Sequence, residues 1–357
     1  MNVKQEGSHR FTRRDFLKAG LLSAGVAATA AAVGQDGLKP HAGHASGGQG
    51  ADPRLRLPSS LTGMEAHAGH DDGSGTVGEV DLTRFDPSKF LTHFDWGRES
   101  RLADGRTLRE WDIVAGDKEI EIAPGVWFPA WTYNGQVPGP TFRSNEGDHL
   151  RFNFLNGSSH PHTIHFHGIH PPSMDGVTPQ VYPGQSFVYE FDARPFGLHL
   201  YHCHSVPLKR HIHKGLYGTF IVDPLGGRPP ANEMVMVMNA FDTNFDGENE
   251  VYTVNTVAFH HANHPIRVKI GELIRVYLVN ITEFDPINSL HLHAGMFKVY
   301  RTGTRLDQYD YTDTIMMCQG ERHVLEFTLD NPGLHMFHAH QSEFAELGWM
   351  GFFEAST

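Results

Sequence analysis

Histidine pairs separated by one residue are the most distinctive feature of this sequence of 357 residues, which contains 26 histidines. Four of these pairs stand out: His165/His167, His202/His204, His291/His293 and His338/His340. Residues two apart on a β-strand face the same side, so each pair is predicted to direct two imidazoles from one strand into one site. Imidazole nitrogens are good copper ligands, and the eight in these pairs suit a three-copper cluster where two domains meet.

Cys203 lies between two of these histidines and is predicted to point to the opposite face of the same strand. A thiolate with two histidines and a weak axial neighbour forms a blue-copper site. His162 and His211 are the candidate histidines, and Leu216 is the candidate axial neighbour, which does not ligate. His213 is the alternative to His211, but the spacing to Leu216 favours His211.

The C-terminal half of the chain repeats the N-terminal half. Residues 183–204 align without a gap with residues 319–340, and a Glu-Phe pair, a Gly-Leu-His triplet and both flanking histidines coincide. Short β-rich runs separated by Gly, Pro, Asn and Asp begin near Glu110, and no long amphipathic helix interrupts them. The sequence therefore predicts an all-β protein with two Greek-key β-sandwich domains, over 81–229 and 230–357.

The second copy lacks the blue-copper ligands. Ala339 stands in the place of Cys203, and Asn288 stands in the place of His162. Phe344 falls near the place of the remaining histidine ligand. One blue-copper site per chain is therefore predicted. The second cysteine, Cys318, has no flanking ligand and is interpreted as a buried structural thiol.

Residues 1–34 resemble a twin-arginine export signal, with Arg13 and Arg14 before an alanine-rich apolar stretch. A periplasmic or extracellular location follows, with no membrane span in the mature chain. Residues 35–80 contain mostly Gly, Ser, Ala, Asp and His, which predicts a flexible leader. Its histidines would either capture copper or belong to a solubilising linker. A formal charge of −12 argues against a nucleic-acid partner.

From about Trp111 onward the chain resembles the two-domain laccases, multicopper oxidases whose mononuclear copper lies in the first domain. Three segments carry the resemblance: Tyr133–Pro140, His165–Gly168 followed by Met174-Asp175-Gly176, and His202-Cys203-His204 through Gly218. The resemblance implies cupredoxin-like domains and a homotrimer in which each cluster lies between domain 1 of one subunit and domain 2 of the next.

The resemblance also implies four coppers per subunit: one type 1, one type 2 and two type 3. His165 and His291 would hold the type 2 copper. The type 3 pair would be held by His167, His202, His204, His293, His338 and His340. Asp175 matches an acidic residue that helps to deliver protons, although it is also a plausible turn residue. Many relatives have methionine where this chain has Leu216, and loss of that soft donor should raise the type 1 potential.

The function that follows is one-electron oxidation of a phenol or similar small reductant, coupled to reduction of O2 to water. One alternative is a copper nitrite reductase, which needs a single catalytic copper with three histidines. Another is a metallo-oxidase acting on Cu(I) or Fe(II), although no Met-rich run lies beside the blue-copper residues. A copper-storage or electron-transfer protein is a non-enzymatic alternative.

Overall fold

The computed structural model describes residues 79–357. These residues form many β-strands and a few short helices. The described residues are 47% strand and 9% helix, so the all-β prediction is confirmed. The proposed export signal and all but the last two residues of the leader lie outside the described residues. None of the described helices has the length and apolar character needed to cross a membrane.

The first half of the described chain forms two sheets that pack as a sandwich. The first sheet has the order β1-β2-β5-β7, with β3 also paired to β2, and the second has the order β4-β9-β8-β6. The strands are β1 Arg98–Arg101, β2 Thr107–Ala123, β3 Val126–Tyr133, β4 Phe142–Asn145, β5 His149–Asn156, β6 His165–Phe166, β7 Ser186–Asp192, β8 Gly197–His202 and β9 Tyr217–Asp223. Two short helices, α1 Pro87–Thr92 and α2 Leu208–His213, and a 3₁₀ turn, Pro172–Met174, complete this half.

The second half forms a comparable pair of sheets, ordered β11-β10-β13-β18-β15-β16 and β12-β20-β19-β14-β17. The strands are β10 Asn232–Phe241, β11 Val251–Val254, β12 Ile266–Lys269, β13 Ile274–Asn280, β14 Ile287–Leu292, β15 Phe297–Arg301, β16 Asp310–Thr312, β17 Thr314–Cys318, β18 Arg322–Phe327, β19 Gly333–His338 and β20 Met350–Ser356. Its helices are α3 His260–Asn263 and α4 Ser342–Glu346.

Aromatic packing fixes the strand that carries the first histidine pair. Phe152 on β5 lies 4.7 Å from Trp111 and 4.4 Å from Phe166, measured between ring centroids. All three side chains are buried. Aromatic pairs of this kind contribute about 0.5–1.5 kcal/mol each beyond the burial of their surface. Phe166 is thereby anchored in the core, and its neighbours in the chain are held at the sandwich surface.

Cys318 differs from its prediction as a buried structural thiol. It is unpaired and exposed, and it is the last residue of β17. Burial alternates along β17, an edge strand, so that Ile315 and Met317 enter the core while Cys318 faces outward. Strand periodicity therefore decides its exposure.

Candidate metal centre

The residue in the middle of each histidine pair is buried in a sandwich core. These middle residues are Phe166, Cys203, Leu292 and Ala339, and none is more than 2% exposed. Because neighbouring residues in extended chain point to opposite sides, burial of the middle residue turns both flanking imidazoles outward. The apolar core thus orients the histidines, without any need for polar contacts among them.

The sequence had predicted that each pair lies on one strand. In the structure, the pairs lie only partly on strands. His165 opens β6 but His167 follows it, and His202 ends β8. The second sandwich repeats this pattern at the ends of β14 and β19. Each pair therefore straddles the end of a strand, and its second histidine leaves the sheet at the rim of the sandwich. The side-chain alternation persists past the end of the strand, where the N–H groups of His167 and His293 still donate to the carbonyls of Leu200 and Met336, so the two rings face one site.

In the first sandwich the four rings form one group. β6 and β8 are antiparallel, with His165 directly opposite His202. His167 Nε2 lies 3.2 Å from His202 Nε2. The ring centroids of His165 and His204 are 5.4 Å apart. Ligand nitrogens of His165, His167 and His202 all lie within 4.8 Å of one another.

The second sandwich has the same arrangement. β14 and β19 place His291 directly opposite His338, and His293 Nε2 lies 2.9 Å from His338 Nε2. The ring centroids of His291 and His340 are 5.3 Å apart. Ligand nitrogens of His291, His293 and His338 also lie within 4.8 Å of one another. The internal repeat of the sequence is thus a repeat of the site, and we call the two groups the domain 1 half-site and the domain 2 half-site.

Hydrogen bonds from Nδ1 set which ring nitrogen faces the half-sites. His165 Nδ1 donates to the backbone carbonyl of Asp175 at 2.7 Å, and His202 Nδ1 donates to that of Cys203 at 2.9 Å. In the second sandwich, the carbonyls of Asp313 and Ala339 accept from His291 and His338. A carbonyl accepts only from a protonated nitrogen, so Nε2 carries the free lone pair in all four rings.

Burial keeps several of these imidazoles neutral. It lowers the pKa of His167 to about 2, with the adjacent His202 contributing, and lowers the pKa of His202 to about 4. The pKa values of His165, His293 and His338 are also lowered, and burial is the largest cause for each. A neutral imidazole can bind a metal whereas a protonated one cannot. The half-sites are therefore prepared for metal at neutral pH.

A third group is built around Cys203, inside the first sandwich. Its sulfur lies 3.2 Å from His211 Nδ1 and 3.8 Å from His162 Nδ1, and these two nitrogens are 3.1 Å apart. None of the three residues is more than 3% exposed. The backbone N–H groups of Thr163 and Ser205 donate to the sulfur at 3.4 and 3.5 Å. One sulfur and two nitrogens converge as a trigonal copper site requires.

The charge states in this group also favour a metal. Burial lowers the pKa of His162 to about 3 and that of His211 to about 4, so both rings are neutral at physiological pH. Burial raises the pKa of the Cys203 thiol, but a bound cation stabilises the thiolate and reverses that preference. Trp131 packs against both rings, with centroids 4.8 Å from His211 and 5.1 Å from His162.

The structure distinguishes between the two histidine candidates of α2. His213 turns away from Cys203, and its Nε2 accepts a hydrogen bond from the backbone N–H of Asp242. Leu216 is fully buried and packs in the same core cluster as Cys203. The backbone N–H of Cys203 donates to the Leu216 carbonyl at 2.9 Å. The axial position of the Leu216 side chain stays a prediction, and an alkyl side chain there would supply no ligand atom.

A carboxylate and a further histidine lie behind His165. Asp175 Oδ1 is 3.2 Å from His165 Nδ1 and 3.9 Å from His170 Nε2. This carboxylate therefore lies on the side of His165 opposite to its free Nε2. Gly176 lets the loop approach β6, because a Cβ at this position, with φ +77°, would lie 2.0 Å from the carbonyl oxygen of Ile164.

His170 was not predicted from the sequence. Its Nε2 donates to the carbonyl of Phe166 at 2.7 Å, and the ring centroid lies 6.1 Å from that of His165. The only sequence signal is its position three residues after His167, which fits neither the strand period nor the internal repeat. A turn returns the chain to the site, and strand periodicity gives no information about it.

The two half-sites stay separate within one chain. No group of potential metal ligands among residues 79–357 combines histidines of the two sandwiches. His293 and His340 are exposed, and the remaining half-site histidines are only partly covered, except for buried His202. The eight histidines thus form two open groups of four rather than one enclosed site.

Comparisons with known proteins agree with this architecture. Two family models, both described as multicopper oxidase, match residues 115–226 and 227–357. A crystal structure of a multicopper oxidase is 57% identical, with a TM-score of 0.76, over 78% of this chain and 100% of that chain. A blue copper oxidase from Nitrosomonas europaea is 30% identical, with a TM-score of 0.63, over 70% of this chain and 86% of that chain.

A copper-containing nitrite reductase from Neisseria meningitidis is also related, with 30% identity over 238 residues. The match covers 61% of this chain and 61% of the length of that relative. The family models cover both β-sandwiches, and the solved oxidases share their cupredoxin-like fold. This copper-binding oxidoreductase with two β-sandwich domains therefore belongs to the multicopper oxidase family.

Proposed function

We propose that this protein is a laccase-type oxidase, which oxidises phenols or similar one-electron donors and reduces O2 to water. The observation that carries the proposal is the matched pair of four-histidine half-sites. In each half-site, two Nε2 atoms lie about 3 Å apart, at 3.2 Å for His167 and His202 and at 2.9 Å for His293 and His338. A single catalytic copper with three histidines would leave five of the eight without a ligand role.

The donor sets fit four coppers per subunit. His162, Cys203 and His211 would hold the type 1 copper, with Leu216 as a non-ligating axial neighbour. His165 and His291 would hold the type 2 copper, and the other half-site histidines would hold the type 3 pair. When bound, the coppers accept single electrons from the donor and supply four of them to O2.

The chain provides a short covalent connection between the two kinds of site. Cys203 is bonded in sequence to His202 and His204, which belong to the domain 1 half-site. The Cys203 carbonyl also accepts a hydrogen bond from His202 Nδ1 at 2.9 Å. An electron arriving at the Cys203 sulfur therefore has a path of a few bonds through its own residue to a cluster ligand.

Asp175 is placed to assist at the cluster from behind His165. Its backbone carbonyl orients the ring, and its carboxylate lies 3.2 Å from Nδ1. Reduction of one O2 to two waters consumes four protons, so a carboxyl group at the edge of the half-site, which takes up protons from water and releases them to the cluster, is a suitable relay. His170 lies beside this carboxylate on its buried side, with a side chain 7% exposed against 36% for that of Asp175.

We also propose that the clusters are shared between subunits of a homotrimer. Each half-site supplies only four ligands, and exposed apolar side chains lie beside both. Val206 and Ile169, near the domain 1 half-site, are 85% and 55% exposed. Met316, two residues along β17 from the strand partner of His291, is 65% exposed. Apolar surface around an incomplete ligand set favours a protein interface, and a head-to-tail ring joins unlike faces.

Export by the twin-arginine route, to the periplasm or beyond, completes the proposal. The support is the sequence of residues 1–34 alone. Cell fractionation with Arg13 and Arg14 replaced by Lys tests it, because such a variant should remain in the cytoplasm.

Metal analysis and oxygen uptake test the proposed activity. Four coppers per chain and O2 consumption with a phenol support the laccase-type reaction. Two coppers per chain with reduction of nitrite would instead establish the nitrite reductase alternative, to which the relatives from Neisseria point. Faster turnover of Cu(I) or Fe(II) than of any phenol would favour the metallo-oxidase alternative. Copper binding without O2 consumption would leave a storage or electron-transfer role.

A further inference from the structure

A cleft of about 490 Å³ lies between helix α2 of the first sandwich and two loops of the second. Its lining includes Lys209 and Arg210 of α2 and Lys214 at the C-cap of this helix. Phe245 and Phe284 line it from the loops. This volume lies within the usual range for sites that bind small organic molecules. Among the residues that line the cleft, only His213 was a candidate from the sequence, as the alternative to His211 as a copper ligand.

The three cations of the cleft are not directly paired with a carboxylate of the described residues, although Glu283 acts on Lys209 and Asp117 acts on Lys214 over a longer distance. None of them forms an ion pair within 4.0 Å in the part of the chain that the structure describes. Lys214 is only 8% exposed, and its ammonium lies 5.0 Å from the ring centroid of Phe128 and 5.2 Å from that of Phe245. Burial lowers the pKa of Lys214 to about 8. A buried ammonium that lies against aromatic rings and has no direct ion pair would gain stability from an anion in the cleft.

Two carboxylates also line the cleft, but their own loop engages them. Asp242 accepts hydrogen bonds from the backbone N–H groups of Asp246 and Gly247 at 3.1 and 2.8 Å. Asp246 Oδ1 accepts from the N–H of Glu248 at 2.9 Å. These backbone donors offset part of the negative charge, whereas the three cations keep theirs. The cleft is therefore locally cationic on a chain with a formal charge of −12.

The cleft lies next to the Cys203 site. Helix α2 carries His211 within the same turn as the cleft residues Lys209 and Arg210. Trp131, whose ring lies 4.8 Å from that of His211, has Arg210 at 5.3 Å and Lys214 at 5.8 Å from its ring centroid. A molecule held by these cations therefore lies one aromatic ring away from a type 1 ligand.

We infer that this cleft binds anionic aromatic donors, such as phenols that carry a carboxylate, and that it selects them over neutral phenols. The cations would hold the carboxylate, and the Phe245 and Phe284 rings would pack against the aromatic ring. Each donor loses one electron to the protein and its hydroxyl proton to water. Four such oxidations balance the reduction of one O2, with four protons, to two waters. The inference rests on the proposed laccase-type function and names its substrate class.

Dihydrosinapate and its methyl ester test the selection, because two methylene groups insulate the phenol from the charge. With the copper-loaded full chain at low salt, kcat/KM should be about threefold to tenfold higher for the acid, and added salt should reduce this preference. Lys209→Glu and Lys214→Met should each lower kcat/KM for the acid by a larger factor than kcat/KM for the ester. Lys269→Gln, at an exposed position on β12 outside the cleft, is the matched control.

Equal kcat/KM values for the acid and the ester would overturn the inference, and so would an equal loss for both donors in the two variants. If neither donor is oxidised, the proposed function fails, and calorimetry then decides the inference separately. The probe is O-methylated dihydrosinapate, which has no oxidisable phenol. Binding that weakens in Lys209→Glu supports an anion-selecting cleft, and absence of binding to the wild-type protein refutes it.

Discussion

The backbone N–H of Cys203 donates to the carbonyl oxygen of Leu216 at 2.9 Å. Leu216 in turn donates its N–H to the carbonyl of His211 at 3.3 Å. The thiol, one imidazole and the axial side chain are therefore fixed to one another by the backbone. Replacing the Leu216 side chain should change the axial environment of the site without moving the ligands.

Leu216→Met is expected to lower the reduction potential of the type 1 site. A thioether near the metal stabilises the oxidised state more than an alkyl group does. A drop of roughly 60 mV would change the one-electron equilibrium constant about tenfold, and oxidation of high-potential phenols should slow. Leucine and methionine have similar volumes, so the fold should be retained. Redox titration measures the shift, and Leu290→Met, in the core of the second sandwich, controls for repacking. An unchanged potential would remove Leu216 from the axial position.

Cys203→Ser is expected to abolish the intense visible absorption and leave about three coppers per chain. Only the thiolate gives the charge-transfer band. A serine oxygen can accept the same N–H groups, from Thr163 and Ser205, that donate to the sulfur. Oxidation of phenols should fall to background while the melting temperature changes little. Visible spectroscopy and metal analysis check both expectations, and a blue variant would contradict the ligand assignment.

The second sandwich shows how the fold fills this position when no copper ligands are present. Ala339 donates its N–H to Trp349 at 3.2 Å, and Trp349 donates to the carbonyl of Phe344 at 2.9 Å. These bonds repeat those of the first sandwich, so Phe344 corresponds to His211 and Trp349 to Leu216. Phe344 stacks on Tyr252 with centroids 4.0 Å apart. Large apolar side chains thus stand where domain 1 has two of its proposed type 1 residues, His211 and Leu216.

Asp175→Asn is expected to lower kcat for O2 reduction by about tenfold to a hundredfold while the blue absorption is unchanged. The backbone carbonyl of residue 175 still orients His165. The substitution therefore removes only the ionisable carboxyl group, with its ability to carry a charge or a proton. Steady-state oxygen uptake measures the effect. Asp313 is the matched control, because its carbonyl accepts from His291 Nδ1 at 3.0 Å in the second half-site. Equal effects of Asp175→Asn and Asp313→Asn would argue against a special role for Asp175.

Acid should destabilise the copper-free protein, and His261 is expected to contribute. His261 is 2% exposed, and neither ring nitrogen has a hydrogen-bond partner among the described residues. Burial, then the neighbouring His260, lowers its pKa to about 3. Between this value and the ordinary value of 6.5 the unfolded state binds the extra proton, so stability is lost as pH falls through that window.

His261→Leu should therefore weaken the pH dependence of stability below pH ~6.5. It should also stabilise the copper-free protein at neutral pH by about 1–3 kcal/mol, because two unpaired buried nitrogens are removed. Thermal unfolding of the copper-free variant and wild type from neutral to acidic pH measures both effects. His93→Leu, at an exposed position, should change neither. An unchanged acid response in His261→Leu would show that other groups dominate it.

The sequence was sufficient to predict the sandwiches and the relationship between them, because hydrophobic alternation and an ungapped repeat report directly on strands. It also placed the imidazoles on a common side, since burial of Phe166 and Leu292 between them is a local property. It did not predict that the pairs straddle strand ends. Periodicity gives the direction of a side chain but not the position of the last hydrogen bond between strands.

Features made by loops escaped prediction for a related reason. His170 returns to His165 through a turn, and Phe245 and Phe284 reach the cleft from loops of the second sandwich. Contacts of this kind depend on the packing of one domain against the other. The predicted burial of Cys318 was wrong for a simpler reason, because the alternation along β17 turns this residue outward.

Shared clusters should make the trimer depend on copper. Each junction would join the four histidines of one domain 1 half-site to the four of a neighbouring domain 2 half-site, so bound metal would link subunits. Removal of copper is expected to lower the melting temperature and to favour dissociation, because ligands that bind only the assembled state stabilise it. Differential scanning calorimetry and sedimentation, with and without copper, measure this. A copper-free protein that stays trimeric with the same melting temperature would contradict the linkage.

Complementation between two inactive variants tests the shared site directly. His167→Ala damages the domain 1 half-site and His293→Ala damages the domain 2 half-site, so each variant alone should be inactive. After dissociation and reassembly in equal amounts, about a quarter of the junctions in a random ring would combine two intact half-sites. Activity should recover in that proportion. Mixing His167→Ala with His202→Ala is the control, since no junction then contains an intact domain 1 half-site. Verified mixed trimers without recovered activity would show that each cluster is completed within one chain.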